Sequence, residues 1–193
     1  MTETTTKVQR DYPRTVSLKD NTAVSLRLMT AADASRMMAF ARALPADDLL
    51  FLRTDITNPA VVGHWIQNLE AGRTVTVIAE ANGDTAGYAS LHYNATSWQR
   101  HLGEIRIQAG QRYRSQGLGR ALAGEIFSVA RDLGLRKIVA QMTSDQKGAV
   151  ATFERLGFQP EALLQDFVID RSGRTRDLMV MAYDVEGLTD RVD

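Results

Sequence analysis

The sequence predicts an α/β (α+β) fold: a single domain with a mixed central sheet of about six to seven strands and helices on both faces. Segments with helical periodicity come first, antiparallel hairpins follow, and a strand-helix-strand-helix series precedes two final strands, an order unlike that of a doubly wound sheet. The 193 residues, 44% of them hydrophobic, are enough for one substantial core. We expect the domain to span residues 13–187, between a flexible N-terminus at 1–12 and a C-terminal tail at 188–193.

The first elements are two short strands and a helix. TVSLKDNTAVSLRL alternates apolar and polar residues on either side of a polar turn, which indicates two strands. A helix is predicted to begin at Thr30, because Thr30 and Asp33 form a capping-like pair. Pro45 ends this helix.

Two more helices and a hairpin follow. ADDLLFLR is predicted to form a short helix, and Asn58-Pro59 opens a longer one that Gly72 ends. After Gly72 the spacing of the apolar residues changes from the helical period to alternation with polar residues, which is typical of strands. TVTVIAEANGDTAGYASLHYN is predicted to form a hairpin around Asn82-Gly83, since this dipeptide favours the tight turns of hairpins.

The rest of the chain alternates strands and helices before a last hairpin. HLGEIRIQA is predicted to be a strand, and after a glycine-containing turn GRALAGEIFSVARDLGL places its apolar residues on one side of a helix. The remaining predicted elements are the strand KIVAQMT, the helix DQKGAVATFERLG and the hairpin EALLQDFVIDRSGRTRDLMVMAYDV. No internal repeat interrupts this series, which supports one domain.

The composition argues against several classes of function. Basic and acidic residues number 23 each, so the formal net charge is zero and no global charge favours nucleic acid or an anionic membrane. The chain has no cysteine, and His64, His92 and His101 lack metal-ligand spacing, so no metal is expected. We find no apolar run of about 18 residues and no apolar core of a signal peptide, and therefore expect a cytoplasmic protein.

The stretch RSQGLGRAL indicates a local anion site. A strand that ends in a glycine turn and starts a helix presents free backbone N–H groups at the positive end of the helix dipole. Gly117 and Gly119 would let an anion approach that backbone closely. Residues 105–124 contain no acid and four arginines, namely Arg106, Arg112, Arg114 and Arg120. The Rossmann fingerprint fails because its third glycine falls on Leu122, and a helix that merely follows a tight turn remains the alternative.

In its context, this stretch resembles motif A of the GNAT superfamily, the acetyl-CoA-dependent N-acetyltransferases. GEIRIQAGQRYRSQGLG is similar to that family's strand, loop and pyrophosphate turn, and AVATFERLGF to a later helix-to-strand segment. VIDRSGRTRDLMVM is similar to the closing hairpin. The resemblance covers about residues 24–185 and implies a GNAT-like domain that uses acetyl-CoA as co-substrate and needs no metal.

The resemblance also implies roles for individual residues. Backbone amides from Arg114 to Gly119 would hold the diphosphate, three arginines would contact phosphate oxygens, and the main chain of Ile107 and Ala109 would meet the pantetheine arm. The implied cofactor-binding residues are Ile107, Ala109, Arg112, Arg114, Ser115, Gln116, Gly117, Leu118, Gly119, Arg120, Gln146 and Phe153. Two of them depart from the family pattern. Gln146 replaces a common asparagine, and Phe153 replaces the tyrosine that protonates the leaving thiolate, although phenylalanine has no proton to give.

Acyl transfer to an amine needs a neutral amine, and therefore a base. Glu104 lies where many members place a catalytic glutamate, so the resemblance implies that it is the base. The alternative is an ordinary strand carboxylate paired with Arg106. His92 and His101 are further candidates for proton transfer, although a histidine at a strand end is more often an ordinary polar residue.

Several other polar and apolar side chains have a structural explanation. Asp166 and Asp170 on the last hairpin are candidates to meet a cationic acceptor, but solvated strand-end acids are the simpler interpretation. The apolar side chains at helical spacing are interpreted as core; they are Trp65, Phe51, Met37 and Met38.

The function expected is transfer of an acetyl group from acetyl-CoA to a primary amine. LPADDLLFLRTDI with the GRTRDL hairpin resembles, loosely, the bacterial branch that acetylates protein lysines, and Asp47, Asp48 and Asp55 would attract such a side chain. Two alternatives stay open: a small-molecule amine as acceptor, and a non-catalytic acetyl-CoA sensor. No nucleic acid or membrane partner is expected, and a homodimer is compatible with the resemblance because many GNAT domains pair.

Overall fold

An eight-stranded mixed sheet organises the structure, a computed structural model that describes residues 11–50 and 52–185. The strands are β1 Arg14–Ser17, β2 Ala23–Leu28, β3 Thr74–Ala81, β4 Asp84–Tyr93, β5 Leu102–Ala109, β6 Lys137–Thr143, β7 Gln159–Ile169 and β8 Thr175–Asp184. The α-helices are α1 Ala34–Arg42, α2 Ala46–Leu50, α3 Pro59–Glu70, α4 Leu118–Asp132 and α5 Lys147–Arg155. The spatial order is β1-β2-β3-β4-β5-β6-β8-β7. The predicted α+β class is confirmed, with eight strands in place of about six to seven because both strands of each predicted hairpin join one sheet.

Local signals in the sequence set several element boundaries. The side chain of Asn58 accepts a hydrogen bond from the Ala60 amide at 2.9 Å, which caps α3 as predicted. Asn82 and Gly83 have φ angles of 54° and 85°, as a tight hairpin turn requires. The Thr30 amide donates to the Asp33 carboxylate at 2.9 Å, but a 3-10 turn follows Thr30 and α1 begins only at Ala34.

Helices cover both faces of the sheet, as the sequence predicts. On one face α4 packs against β3 and β4 through fully buried side chains such as Leu122 and Ile126. On the other face α1 and α3 form a second core that includes Met37 and Trp65, with Met38 packed at its margin. Phe51, residues 1–10 of the predicted N-terminal tail at 1–12, and the predicted C-terminal tail at 188–193 lie outside the described residues. Tyr12, which is described, packs against the main core. Within the described ranges, no helix has the length and apolar character needed to cross a membrane.

Two neighbouring strands in the middle of the sheet separate, and this opening positions the site. Strand β5 pairs with β4 antiparallel along its whole length, from Gly103 to Ala109. Its parallel pairing with β6 covers only residues 102–104 against residues 137–139, after which β6 stays paired with β8. The edge of β5 at residues 105–109 therefore faces the gap between the strands. Main-chain groups there are available to a ligand, except the Ala109 carbonyl, which accepts from the Arg114 side chain.

Candidate active site

The gap between β5 and β6 opens into a cleft of about 360 Å³. Its walls come from β4, β5, β6, the start of α5, one side of α3 and the segment that precedes α3. Four of the predicted site residues line it, namely Glu104, Ile107, Gln146 and Phe153. The volume lies in the range of pockets that hold small molecules.

The sheet contributes a row of polar side chains to this cleft. His92 lies opposite Thr74 on β3 and opposite Glu104 on β5, so the three residues share one face of three neighbouring strands. The Thr74 hydroxyl and His92 Nδ1 are 3.0 Å apart and hydrogen-bonded. Burial, with Arg106 and Arg53 nearby, lowers the pKa of His92 to about 3. His92 is therefore neutral near pH 7, which argues against its role as a proton shuttle at that pH.

A second polar row lies beside the first. Thr76 and Ser90 face each other across β3 and β4, and Ser90 in turn faces Arg106 on β5. Trp65 on α3 donates from Nε1 to the Thr76 hydroxyl at 3.1 Å, and that hydroxyl donates to Ser90 Oγ at 3.1 Å. These bonds tie α3 to the sheet and satisfy polar groups that are buried.

Each carboxylate oxygen of Glu104 binds one guanidinium group. Arg106 donates from Nε to Oε1 at 2.9 Å, and Nη1 of Arg53 lies 2.7 Å from Oε2. The Glu104 side chain is 20% exposed, so the cleft is its route to solvent. Glu104 is thus paired with Arg106, as the alternative interpretation expects. Glu104 also lines the cleft, as a general base would have to. The role of base stays a prediction.

The glycine turn has the backbone geometry of an anion site. Ser115 and Gly117 adopt left-handed φ angles of 61° and 94°, and α4 begins at the next residue, Leu118. The first amides of a helix have no partner within it. A Cβ built on Gly119 would meet no atom within 4 Å, so space is open above this turn. The Leu118 side chain is buried in the core, which leaves only its backbone for a ligand. These residues fit a diphosphate.

The three arginines around the turn differ in their contacts. Arg114 is the most engaged: its guanidinium pairs with Asp48 on α2 and donates to the Ala109 carbonyl at 3.3 Å. Arg112 lies over the Tyr113 ring, 5.8 Å from its centroid, and is exposed. Arg120 is exposed in the first turn of α4. A phosphate would therefore have to compete with Asp48 for Arg114.

The remaining predicted positions have mainly local partners. The Gln146 side chain accepts from the Thr143 amide at 3.0 Å and so closes the turn before α5. Phe153 packs edge-on against Phe158, with ring centroids 5.0 Å apart. Gln116 accepts a backbone hydrogen bond from Lys19 at 3.0 Å. Phe153 is therefore both a wall of the cleft and part of the margin of the core.

Two interpretations of acidic residues do not match the structure. Asp47, Asp48 and Asp55 were expected to attract a cationic acceptor, but none of them lines the cleft. Asp48 is paired with Arg114 and Asp55 with Arg171 at 2.9 Å, because α2 and the segment after it fold back onto the glycine turn and the last hairpin.

The interpretation of Asp170 as a solvated acid is also wrong. Its side chain is 1% exposed, and it accepts hydrogen bonds from Ser172 and Arg176 in the turn between β7 and β8. These bonds lower its pKa to about 2, so Asp170 is an anchor of the turn. Asp166 is exposed, as expected.

Sequence reasoning missed several residues of the cleft. Ser90 alternates with the buried Ala89 and Leu91 on β4, and a polar side chain at that period inside an apolar strand was a usable signal. Arg53 lies between α2 and α3, and only the tertiary fold brings it to Glu104. The other lining residues that were not predicted include His64, Asn68, Tyr88 and Gln141.

The chain belongs to the acetyltransferase (GNAT) family, whose model matches residues 29–158. The enzyme class expected from the glycine turn, an N-acetyltransferase, is thereby confirmed.

Two curated relatives and a solved structure illustrate the similarity. "Putative phosphinothricin acetyltransferase YwnH" of Bacillus subtilis (strain 168) is 23% identical over 84% of this chain and 99% of that protein. The L-amino acid N-acyltransferase MnaT of Escherichia coli (strain K12) is 27% identical over 65% of this chain and 73% of that protein. The structure of yncA from Salmonella typhimurium, solved with acetyl-CoA, aligns with a TM-score of 0.72 and 20% identity over 86% of this chain and 96% of that one. The two curated relatives are named for phosphinothricin and for L-amino acids, and the solved structure shows the shared fold.

Proposed function

We propose that this protein transfers the acetyl group of acetyl-CoA to the primary amine of a small molecule, with Glu104 as the general base. The observation that carries the proposal is the position of Glu104 at the point where β5 and β6 separate, on the same strand that leads into the glycine turn. From Glu104 to its end at Ala109, β5 covers roughly 17 Å at about 3.3 Å per residue, and a 3-10 turn at Gln111–Tyr113 then leads to the glycine turn. A diphosphate at the N-terminus of α4 would direct the pantetheine arm along β5 towards Glu104.

The proposed chemistry is a direct transfer. Glu104, alone or through a water molecule, takes a proton from the acceptor ammonium, and the freed lone pair forms a C–N bond to the acetyl carbonyl carbon. The C–S bond breaks, the coenzyme leaves as a thiolate, and a proton lost from the acylated nitrogen restores the thiol. One proton is released overall. A thiolate leaves more readily than an alkoxide, so Phe153 is compatible with turnover without a tyrosine acid.

The shape of the cleft supports a small acceptor. Trp65 on α3 and Ile56 in the preceding segment lie over the polar rows of the sheet and, with Glu104, line the same cleft. The cleft of about 360 Å³ has to hold the acetyl end of the coenzyme as well as the acceptor, so the space left suits a compact amine. The names of the two curated relatives, which specify phosphinothricin and L-amino acids, support the same class of acceptor.

An acceptor panel tests the proposal. The protein is incubated with acetyl-CoA and either small amines, including amino acids and polyamines, or lysine-containing peptides, while free coenzyme A is measured. We expect thiol release with small amines, matched by acetylated product in mass spectrometry. Release with lysine peptides alone would replace the small-molecule acceptor by protein lysine, and no release with any amine would contradict the proposed reaction.

A further inference from the structure

Two arginines bind the single carboxylate in the acceptor part of the cleft. Arg53 and Arg106 each reach a different oxygen of Glu104, at 2.7 and 2.9 Å. Arg53 also donates from Nη1 to Gln141 at 2.6 Å. Any amine that is to bind Glu104 must therefore enter beside both guanidinium groups.

The charges of the cleft disfavour a simple cationic acceptor. Its lining contains two arginines and one glutamate, and the neighbouring His92 is neutral because burial lowers its pKa to about 3. An ammonium without an anionic group meets two positive charges and a carboxylate that is already paired. An acceptor that brings its own carboxylate can exchange these ion pairs without leaving a guanidinium unpaired.

We propose that the acceptor is an amino acid whose carboxylate is bound by Arg53 and Arg106 while its amine is bound by Glu104. The inference rests on the proposed function and names its substrate class. Both guanidinium groups lie within hydrogen-bonding distance of the same carboxylate, so the anionic group must lie next to the amine, as it does in an α-amino acid.

The two arginines have different parts in this recognition. Arg106 extends from the central strand β5, and its side chain is 28% exposed, so it is the fixed half of the site. Arg53 comes from the segment between α2 and α3, is 48% exposed and is held by Glu104 and Gln141, so it is the half that exchanges its bond to Glu104 for one to the incoming carboxylate. We therefore expect Arg53 to cover the acceptor once it is bound.

The rest of the lining indicates the kind of amino acid. Apolar side chains surround the polar rows on the helix side and the β6 side; they are Leu52, Ile56, Val61, Trp65 and Met142. None of these offers a partner to a second charge. Amino acids with apolar side chains are the expected substrates, and L-leucine, L-methionine and L-phenylalanine are suitable probes.

The test compares each of these three amino acids with its own amide. The amide keeps the α-amine and the side chain and loses only the negative charge. Its amine is also less basic, so a preference for the acid cannot result from easier deprotonation. We expect the wild-type protein to favour the acids by about tenfold or more in kcat/KM, since charge-assisted hydrogen bonds are lost with the amide.

Variants locate the effect. Arg106→Gln and Arg53→Gln are expected to lower kcat/KM for the acids by about 10- to 100-fold, mainly through KM. Because both arginines also bind Glu104, an effect on the base falls on acids and amides alike. The readout is therefore the ratio of kcat/KM for acid and amide, which should fall by about tenfold or more. Arg36→Gln is the matched control, because Arg36 also pairs with a glutamate, Glu80, but lies outside the cleft. It should change neither class of substrate.

The outcomes separate this inference from the proposed function. Equal rates for acids and amides, or equal losses for both in the arginine variants, would overturn the amino-acid inference while acetyl transfer itself stands. Acetylation of other amines with no activity towards the three acids would do the same. If no amine releases thiol, the proposed function fails, and this inference fails with it.

Discussion

At the scale of single residues, Phe153 occupies the position where the family resemblance implies a tyrosine that protonates the leaving thiolate. Phe153 lines the cleft and packs edge-on against Phe158. A tyrosine at this position can keep the contact with Phe158 and add a hydroxyl group to the ring. We expect Phe153→Tyr to keep acetyl-CoA affinity and to maintain or raise kcat, because the new hydroxyl can protonate the thiolate. An unpaired buried hydroxyl costs about 1–3 kcal/mol of stability.

The measurement is kcat together with the acetyl-CoA dissociation constant. Phe127→Tyr is the control, since Phe127 stacks on Tyr183 away from the cleft. Loss of coenzyme binding in Phe153→Tyr alone would show that Phe153 acts as packing in the cofactor pocket and not as the replacement of an acid.

The residues of the cleft were only partly predictable. Glu104 and Phe153 could be placed because each lies in a stretch that resembles a known motif. Arg53 could not, because its contact with Glu104 joins positions 51 residues apart whose distance in space depends on the whole fold. The ion pairs of Asp48 and Asp55 were missed for the same reason.

At the scale of elements, the turn before α4 is proposed to hold the diphosphate. Gly119→Asp puts a carboxylate into the open space above this turn, at modest cost to the fold because acids are favourable in the first turn of a helix. In the wild type, acetyl-CoA at about 100 times its Kd should stabilise the protein by about 2.7 kcal/mol. This corresponds to a rise in Tm of roughly 5–10 °C. Gly119→Asp should lose that rise.

Gly124→Asp is the matched control, because Gly124 also has open space around it but lies further along the same helix. It should keep the rise in Tm. A normal rise in Gly119→Asp would mean that the diphosphate is bound elsewhere.

Most elements could be predicted because their signals are local. The Asn58 cap, the Asn82-Gly83 turn and the period of the apolar residues act within a few positions of the chain. The separation of β5 from β6 is different, since it is set by which strands pair and for how long. No residue pattern within residues 102–109 predicts that the pairing of β5 with β6 ends at Glu104.

At the scale of the whole molecule, a network of four charges joins strands β2 and β3 to the start of α1. Arg27 on β2 bonds Asp33 before α1 and Glu80 on β3, and Glu80 also pairs with Arg36. Hydrogen bonds from Arg27 and from Thr30 hold the pKa of Asp33 at about 2, below its usual 3.8. Because the pKa of Asp33 is lower in the folded than in the unfolded protein, the ionised carboxylate stabilises the fold at pH values above the unfolded pKa. This stability is lost as pH falls towards 2.

We therefore expect Asp33→Asn to lower the free energy of unfolding by about 2 kcal/mol near pH 6. The deficit should shrink as pH falls from about 4 to 2, where the wild-type carboxyl takes up its proton. Urea denaturation of both proteins across this range measures it. A deficit that is constant with pH would show that Asp33 stabilises the fold by shape and not by charge.

The central claim is that acetyl transfer takes place in the cleft between β5 and β6 with Glu104 as the base. The most direct test compares the pH dependence of kcat in the wild type and in Glu104→Gln, with the best acceptor of the panel. Glu80→Gln is the control, because Glu80 is also 20% exposed and also pairs with two arginines, but lies outside the cleft. Loss of a general base should lower kcat by about 10²–10⁴ near pH 7, and the loss should shrink near pH 9.5 as the amine deprotonates unaided. Acetyl-CoA binding should survive, and the control should behave as wild type. A loss of less than about threefold near pH 7, or the same deficit at both pH values, would contradict the role of Glu104 as the base.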